Sequence, residues 1–587
     1  MARRVVRGIA VSPGVAVGPA LVWRWEVPSV PDRPIGPGDV EREVARLRAA
    51  LTVSKERLIA VRARAAERAG PEEARIFDAQ VLILEDPDLI GGVERLIRDN
   101  HFSAERAFEL KLLEWKGLWM TAGSTLLRDR LIDLTDVEIR VLAHLLGVDE
   151  PDITAEHDGP VVLVARDLTP SLTVQLDREA VLAIACEQGT RTSHAAILAH
   201  SIGIPAIVGL PDVLSAVTTG QLVALDGWTG VLRIEPSPDE LAAVRSRDER
   251  LRAHARELEA GADQAAVTAD GEPLTLRANL DLPEELAAAR RGGAAGVGLL
   301  RTEFLVVGRG RMPTEDEQAA LYRRIGEAFA GHDVVVRTFD LGGDKFPATF
   351  RAMAEGNPFL GWRAIRVCLD QPEVFRPQVR AILRAAATTR LKLMIPLVTT
   401  VEEVDAVRAL VDEERVALRA AGVDAAEALP VGVMVETPAA VLVADRLAEV
   451  SDFLSIGTND LVQYTLAVDR GNARLAARFT PHHPAILRSL AEVRAAGRAA
   501  GIEVSVCGEM ASDPLSIYLL LGLGYRVLSV AAPSLPLVRW LVRQVRVRDA
   551  AACALQSLHA RTAPEVTAAA REALGAVVDL RLLEHAE

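Results

Sequence analysis

Residues that can bind anions or a metal ion follow strand-like apolar segments in the second half of the chain. Arg301 comes directly after such a segment and Arg337 directly after the strand-like run 333–336, and a guanidinium suits bidentate binding of phosphate or carboxylate. Glu436 and Asp460 closely follow two others and supply hard oxygen ligands, which suit Mg²⁺ held together with substrate oxygens and water. Cys507 follows a fifth segment. These residue types together predict a site for an anionic phosphate substrate and a metal ion.

Each of these residues also has a simpler explanation when taken alone. An arginine at a strand end is usually solvated, and a glutamate before Thr-Pro usually caps a helix. Their occurrence after several strands favours a site, and two further arginines, Arg363 and Arg470, add to its capacity for anions. The sequence contains no GxxxxGK loop for nucleotide phosphates.

A second candidate group surrounds His194, in the segment GTRTSHAAILA. A turn there leads into an apolar helix whose first backbone N–H groups would face an anion, and Arg191 adds positive charge. These surroundings would stabilise a phosphoryl group carried on the imidazole. Imidazole is also a general base or a metal ligand, and the residue types alone leave these roles open.

Strand-like and helical segments alternate from residue 274 onward, which predicts a (β/α)₈ TIM barrel. A doubly wound open sheet is the alternative. In a barrel, the residues that follow the strands all lie at one rim, where the chemistry of this fold is found. The predicted strands are 274–280, 296–300, 333–339, 391–397, 431–435, 453–456, 503–506 and 527–530.

The chain has 587 residues, which is too long for one hydrophobic core. The pattern of apolar residues and the composition change several times along it. Residues 1–38 and 147–236 contain short apolar runs separated by turns, typical of a small α/β domain. Residues 39–146 have helical periodicity and form a predicted helical insertion in that domain. A charged, Ala-rich stretch at 237–265 indicates a helical linker, and 266–587 is the predicted barrel domain.

Charge and composition exclude several classes of protein. The chain has 81 acidic and 67 basic residues, and the net charge of −14 argues against a nucleic-acid or anionic-membrane binder. The apolar N-terminus is interrupted by Pro and Gly, and no apolar stretch is long enough to span a membrane. The four cysteines form no CxxC pair, which fits a reducing compartment. We therefore expect a cytoplasmic protein without membrane insertion.

Long motifs in order along nearly the whole chain resemble enzyme I of the bacterial phosphotransferase system, the phosphoenolpyruvate–protein phosphotransferase family. The first half of the chain contains GIAVSPGVAVGPA, FDAQVLILEDPDL, DLTPSLTVQL and GTRTSHAAILAHSIGIPAIVG. The second half contains GVGLLRTEFL, RTFDLGGDK, NPFLGWRAIR, GVMVETPAA, SIGTNDLVQYTLAVDRGN and CGEMASDP. One departure is mild, because Thr190 replaces a usual glycine but leaves Arg191 and His194 in place.

The resemblance implies transfer of the phosphoryl group of phosphoenolpyruvate (PEP) to the enzyme's own histidine, with release of pyruvate. The phosphoryl group would then pass from the enzyme to a histidine of the small carrier HPr, and this transfer is the first step of sugar uptake. The phosphorylated residue would be His194, oriented by Thr169, and Cys507 would protonate the methylene carbon of the enolate. Glu436 and Asp460 would bind Mg²⁺. The implied substrate-binding residues are Arg301, Arg337, Arg363, Asn459, Asp460 and Arg470.

The resemblance also implies how the parts cooperate. The α/β domain would swivel between the barrel and HPr, with a hinge in the linker 237–265. The helical insertion would dock HPr, and Glu85 and Asp86 are candidate contacts for a basic carrier, unless they only form a helix-end turn. The barrel would form a homodimer.

Two other functions compete with this interpretation. A PEP synthase or pyruvate phosphate dikinase shares the phosphohistidine and barrel domains, but it needs a large ATP-binding domain before the histidine. The residues before His194 are mostly helical and too few for that. A non-catalytic regulatory scaffold would keep the docking surface and lose the chemistry, although all the expected catalytic side chains are present here.

Overall fold

The chain folds into two units, Met1–Arg252 and Ala253–Glu587, in the computed structural model. The structure describes residues 4–23, 27–69, 76–121, 131–148, 159–167, 180–189, 204–306, 311–342, 355, 357–470, 475 and 478–583. The predicted multidomain α/β class is confirmed, because both units contain β-sheets and helices.

A mixed sheet forms the centre of the first unit. Its strands are β1 (Arg4–Arg7), β2 (Ile9–Ser12), β3 (Val15–Trp23), β4 (Val161–Ala165), β5 (Val181–Cys186), β6 (Ala206–Val208), β7 (Leu222–Asp226) and β8 (Val231–Ile234). In the described residues their order is β1-β8-β7-β3-β4-β5-β6-β2, with β3 to β6 parallel. β4 is buried throughout, and its alternate residues pack into two hydrophobic clusters, which explains its uninterrupted apolar sequence.

Helices separate the neighbouring parallel strands β3 and β4 along the chain. They are α1 (Val40–Ala69), α2 (Ile76–Glu85), α3 (Pro87–Asn100), α4 (Ala104–Thr121) and α5 (Leu131–Leu146). Apolar residues at helical spacing, such as Leu47, Leu51 and Leu58 on α1, form a hydrophobic core separate from that of the sheet. The unit also contains α6 (Val213–Ala216). Most of the stretch predicted as a linker is one helix, α7 (Pro238–Ala260).

A closed barrel of parallel strands forms the second unit. The strands are β9 (Thr275–Leu280), β10 (Val297–Leu300), β11 (Val334–Arg337), β12 (Leu391–Ile395), β13 (Val431–Val435), β14 (Phe453–Ile456), β15 (Glu503–Val506) and β16 (Val527–Ala531). They pair in chain order, and β16 closes on β9. This closure confirms the barrel and rejects the open sheet. Buried residues such as Leu299, Met434 and Phe453 form a separate interior cluster, while other strand residues pack against the helices.

Helices follow most of the barrel strands. They are α8 (Leu286–Arg291), α9 (Glu315–Ala328), α10 (Ile365–Asp370), α11 (Pro372–Ala386), α12 (Val401–Ala420), α13 (Pro438–Leu442), α14 (Ala444–Val450), α15 (Thr458–Leu466), α16 (Pro484–Ala500), α17 (Pro514–Gly522), α18 (Leu535–Gln544), α19 (Val547–Leu558) and α20 (Ala563–Gly575). No helix among the described residues is long and apolar enough to cross a membrane.

Candidate active site

A cavity of about 340 Å³ opens at the C-terminal ends of the barrel strands. Most of the site residues predicted in the barrel line this cavity, because the parallel strands of a barrel all end at one rim. Seven predicted site residues line it: Arg301, Arg337, Glu436, Asn459, Asp460, Arg470 and Cys507. Its wall also includes Leu299, Asp340, Met434, Gly457, Gly508 and Glu509.

Arg337 is a buried arginine held by two carboxylates. Its Nη2 donates to Glu303 Oε1 (3.0 Å), and its Nη1 lies 3.2 Å from Asp340 Oδ2. Glu303 Oε1 also accepts a hydrogen bond from the backbone N–H of Asp340 (2.9 Å). This bond connects the segment after β10 to the segment after β11. Burial opposes the charged form of Arg337, but the carboxylates of Glu303, Asp340, Glu436 and Asp460 outweigh it and raise the pKa above its ordinary value. Arg337 is therefore a permanent, fixed cation.

Arg363 is the predicted substrate residue that does not line this cavity. It lies behind Asp340, whose Oδ1 accepts from Arg363 Nε (3.1 Å) and Nη2 (2.6 Å). Arg363 Nη2 also lies 3.9 Å from Asp460 Oδ2. In this structure Arg363 thus supports the wall of the cavity through Asp340.

The two predicted metal ligands are buried carboxylates. Burial, with the nearby charges of Asp460 and Asp340, raises the pKa of Glu436 to about 8, although Arg337 opposes the rise. Glu436 Oε1 accepts the backbone N–H of Leu397 (2.6 Å). Leu397 has a φ of 58°, a left-handed conformation that is strained for leucine.

Asp460 Oδ1 is buried without a hydrogen-bond partner and lies 3.7 Å from Arg470 Nη1. An unsatisfied carboxylate oxygen beside a second carboxylate with a raised pKa fits a bound cation. Within the described residues, no three His, Cys, Asp or Glu side chains are grouped to hold a metal. A cation at Glu436 and Asp460 would therefore complete its coordination with substrate oxygens and water, as Mg²⁺ prefers.

The remaining polar residues of the rim are more accessible. Arg301 forms an ion pair with Asp281, and its side chain is 38% exposed. Asn459 and Glu509 exchange two hydrogen bonds, one from Asn459 Nδ2 to Glu509 Oε1 and one from the Glu509 backbone N–H to Asn459 Oδ1, both 2.9 Å. Partners at the surface can be exchanged for an incoming anion at lower cost than buried ones.

Cys507 places a thiol in the wall of the cavity. Ser455 Oγ donates to its Sγ (3.3 Å), and the thiol S–H donates to the backbone carbonyl of Ile456 (3.5 Å). Burial raises the pKa of the thiol to about 11, although the hydrogen bond from Ser455 opposes the rise. The thiol is therefore protonated at neutral pH, as a general acid must be.

Two predicted site residues, His194 and Thr169, lie outside the described residues. Glu85 lies at the end of α2 and forms an ion pair with Lys55. Asp86 caps helix α3, because its Oδ1 accepts from the backbone N–H of Asp88 (2.8 Å) and of Leu89 (3.1 Å). Asp86 thus has the helix-end role that the sequence left open.

The sequence also places Glu303, Asp340 and Glu509 at the rim, but no role in the site was predicted for these three residues. Each of the three follows the same strand as a predicted site residue. They therefore lie at the rim, where the residues that follow the strands of a barrel meet. This position does not show that Glu303 and Asp340 pair with Arg337, or that Glu509 pairs with Asn459.

Sequence comparisons identify relatives along almost the whole chain. The family described as "PEP-utilising enzyme, PEP-binding domain" matches residues 255–547, the N-terminal family of these enzymes matches 7–130, and their mobile domain matches 157–230.

Two curated relatives match over a similar extent. A phosphoenolpyruvate-protein phosphotransferase of Geobacillus stearothermophilus is 42% identical over 565 residues, covering 96% of this chain and 97% of the relative. The protein of that name from Staphylococcus carnosus (strain TM300) is 40% identical over 561 residues, covering 96% and 97%. A solution structure of Enzyme I (nEIt) is 35% identical and covers 42% of this chain and 99% of its own, with a TM-score of 0.37.

Proposed function

Because the chain belongs to the phosphoenolpyruvate-protein phosphotransferase family, we propose that it transfers the phosphoryl group of PEP to His194 and then to a histidine of HPr. Pyruvate is the other product. The observation that carries this proposal is the cavity at the barrel rim, which combines three arginines, three buried carboxylates (Asp340, Glu436 and Asp460) and a protonated thiol. Incubation of the protein with PEP, Mg²⁺ and HPr, followed by assay of pyruvate and of phosphorylated HPr, tests it.

We assign PEP binding to the arginines and the amide of the rim. Arg337 is held rigidly by Glu303 and Asp340, so its guanidinium is preorganised to neutralise charge on the substrate. Arg301 and Arg470 have half-exposed side chains and can reorient toward the substrate's phosphate and carboxylate. Asn459 would exchange Glu509 for a substrate oxygen. We place Arg363 behind Asp340 as a support of the same site.

Glu436 and Asp460 are the residues that would hold Mg²⁺. When bound, the ion would neutralise charge on the enolate and phosphate oxygens. The raised pKa of Glu436 and the unsatisfied oxygen of Asp460 support this assignment.

The reaction requires a nucleophile, a leaving group and a proton. A neutral imidazole nitrogen of His194, oriented by Thr169, forms a bond to phosphorus as the bond to the enolate oxygen breaks, and the electron pair stays on that oxygen. The Cys507 thiol then gives its proton to the methylene carbon, which yields pyruvate, and the thiolate recovers a proton from solvent. Arg337 stabilises the charge on the transferred group throughout.

Replacing Cys507 with alanine should slow pyruvate formation by about 10²- to 10⁴-fold, because the general acid is lost. Phosphoryl exchange between the phosphorylated enzyme and HPr should change little, since that half-reaction does not use the thiol. Stopped-flow measurement of pyruvate and gel assay of HPr phosphorylation separate the two. Cys368→Ala is the control, because its buried thiol also belongs to the barrel unit but does not line the cavity. Equal losses in both half-reactions of Cys507→Ala would remove it from the acid role.

We propose that the four sequence-defined parts carry separate tasks. Residues 1–38 and 147–236 present His194, 39–146 dock HPr, 237–265 contain the hinge, and 266–587 bind PEP and form the homodimer. The reaction belongs in the cytoplasm, because PEP is an intracellular metabolite and the four cysteines are buried and free. A regulatory scaffold without activity would bind HPr and release no pyruvate.

Reversing the charge of Glu85 should weaken docking of HPr. Glu85→Lys removes a carboxylate that is 47% exposed at the end of α2 and adds a positive charge facing a basic carrier. We expect the KM for HPr to rise about threefold to tenfold, while phosphorylation of the enzyme by PEP is unchanged. Asp99→Lys, an exposed position near the far end of α3, is the matched control. A KM for HPr that rises equally in both variants, or in neither, would contradict this docking surface.

A further inference from the structure

Tyr464, on helix α15, connects the segment around Arg363 to the helix that carries Asn459 and Asp460. Its hydroxyl donates to the backbone carbonyl of Phe359 (2.6 Å) and accepts from Arg363 Nη1 (3.4 Å). The Phe359 ring also faces Arg363, with the guanidinium carbon 5.6 Å from the ring centroid. Tyr464 therefore holds both the side chain of Arg363 and the backbone segment beside it.

The contacts of Arg363 lead from Tyr464 into the cavity wall. Arg363 holds Asp340 through Nε (3.1 Å) and Nη2 (2.6 Å), and Asp340 forms the ion pair with Arg337 (3.2 Å). A displacement of Arg363 would therefore change the position and the charge balance of Arg337.

Tyr464 also lies on the same helix as Asp460, which lines the cavity at the barrel rim. Tyr464 follows Asp460 by four residues, which places the two side chains on the same side of the helix. Burial raises the pKa of Tyr464 to about 12, with Arg363 opposing the rise. The phenol thus remains a hydrogen-bond donor to Phe359 at neutral pH.

The Tyr464 ring lies beside a second cavity, so it need not touch PEP. That cavity of about 450 Å³ is lined by Phe359, Leu360 and Tyr464 among others. Tyr464 does not line the first cavity, the one at the barrel rim where we place PEP.

We infer that Tyr464 is a positioning residue for PEP binding, which acts through Arg363 and Asp340 on Arg337. This inference rests on the proposed function. It assigns the tyrosine hydroxyl to the alignment of the substrate arginines, and not to a reaction step.

The test is Tyr464→Phe, which removes the hydroxyl and keeps the ring. We expect the KM for PEP to rise about threefold to tenfold, as the loss of a hydrogen bond allows, with kcat within about twofold. Phosphoryl exchange between the phosphorylated enzyme and HPr should be unchanged. The matched control is Tyr525→Phe, because Tyr525 is a buried barrel tyrosine whose hydroxyl donates to the backbone carbonyl of Leu490 (2.7 Å). It should leave the KM for PEP unaltered.

A double-mutant cycle keeps the test specific. In an Arg363→Ala background, Tyr464→Phe should cause no further rise in KM, because its effect passes through that arginine. An unaltered KM in the single variant, an equal rise in Tyr525→Phe, or full additivity with Arg363→Ala would overturn the inference. A wild-type protein that releases no pyruvate from PEP would instead overturn the proposed function.

Discussion

Replacing Arg337 with lysine should lower kcat/KM for PEP by about 10²- to 10³-fold. The arginine lines the cavity and uses two terminal nitrogens to hold Glu303 (3.0 Å) and Asp340 (3.2 Å). An ammonium group is a single point charge and cannot keep this geometry. Pyruvate release, coupled to lactate dehydrogenase, measures the loss.

Arg277→Lys provides the matched control for Arg337→Lys. Arg277 is also a buried barrel arginine, and it binds both oxygens of Glu503 (2.6 and 3.0 Å). Arg277 does not line the cavity at the barrel rim. Arg277→Lys should lower the melting temperature with little change in turnover. Near-normal turnover in Arg337→Lys, or equal losses in the two variants, would contradict the role of Arg337.

Replacing His194 with alanine should abolish phosphorylation of the protein by PEP and of HPr through it. The side chain is the proposed nucleophile, and alanine offers no atom that can accept the phosphoryl group. Pyruvate release should fall to background in the same variant, because bond formation to phosphorus and release of the enolate are one event. His332→Ala, at an exposed position before β11, is the control and should keep full activity. Phosphate retained on His194→Ala would show that another residue is the acceptor.

The barrel could be predicted from the sequence because its strands are short, buried and apolar. All eight were located, but two were predicted too long: 333–339 ends at Arg337, and 391–397 ends at Ile395. After Arg337 the backbone N–H groups of Phe339 and Asp340 bond to the side chains of Gln378 (3.1 Å) and Glu303 (2.9 Å), not to a neighbouring strand. Apolar sequence does not reveal this change of partner.

The rim residues could be predicted as a group, but their pairing could not. Strand ends converge in any barrel, so residue type and position suffice to collect Arg301, Arg337, Glu436 and Cys507. The placement of Arg363 behind Asp340 depends on side-chain rotamers and on a contact across 23 residues of chain. Sequence spacing carries no information about either.

In the proposed reaction a histidine of this chain accepts the phosphoryl group of PEP. Incubation of the wild-type protein with ³²P-labelled PEP and Mg²⁺ tests it most directly, with pyruvate and protein-bound phosphate measured in the same samples. We predict an acid-labile, base-stable label, one pyruvate released for each phosphate bound, and transfer of the label to added HPr. An unlabelled protein, or a label stable to acid, would show that PEP does not phosphorylate a histidine of this chain.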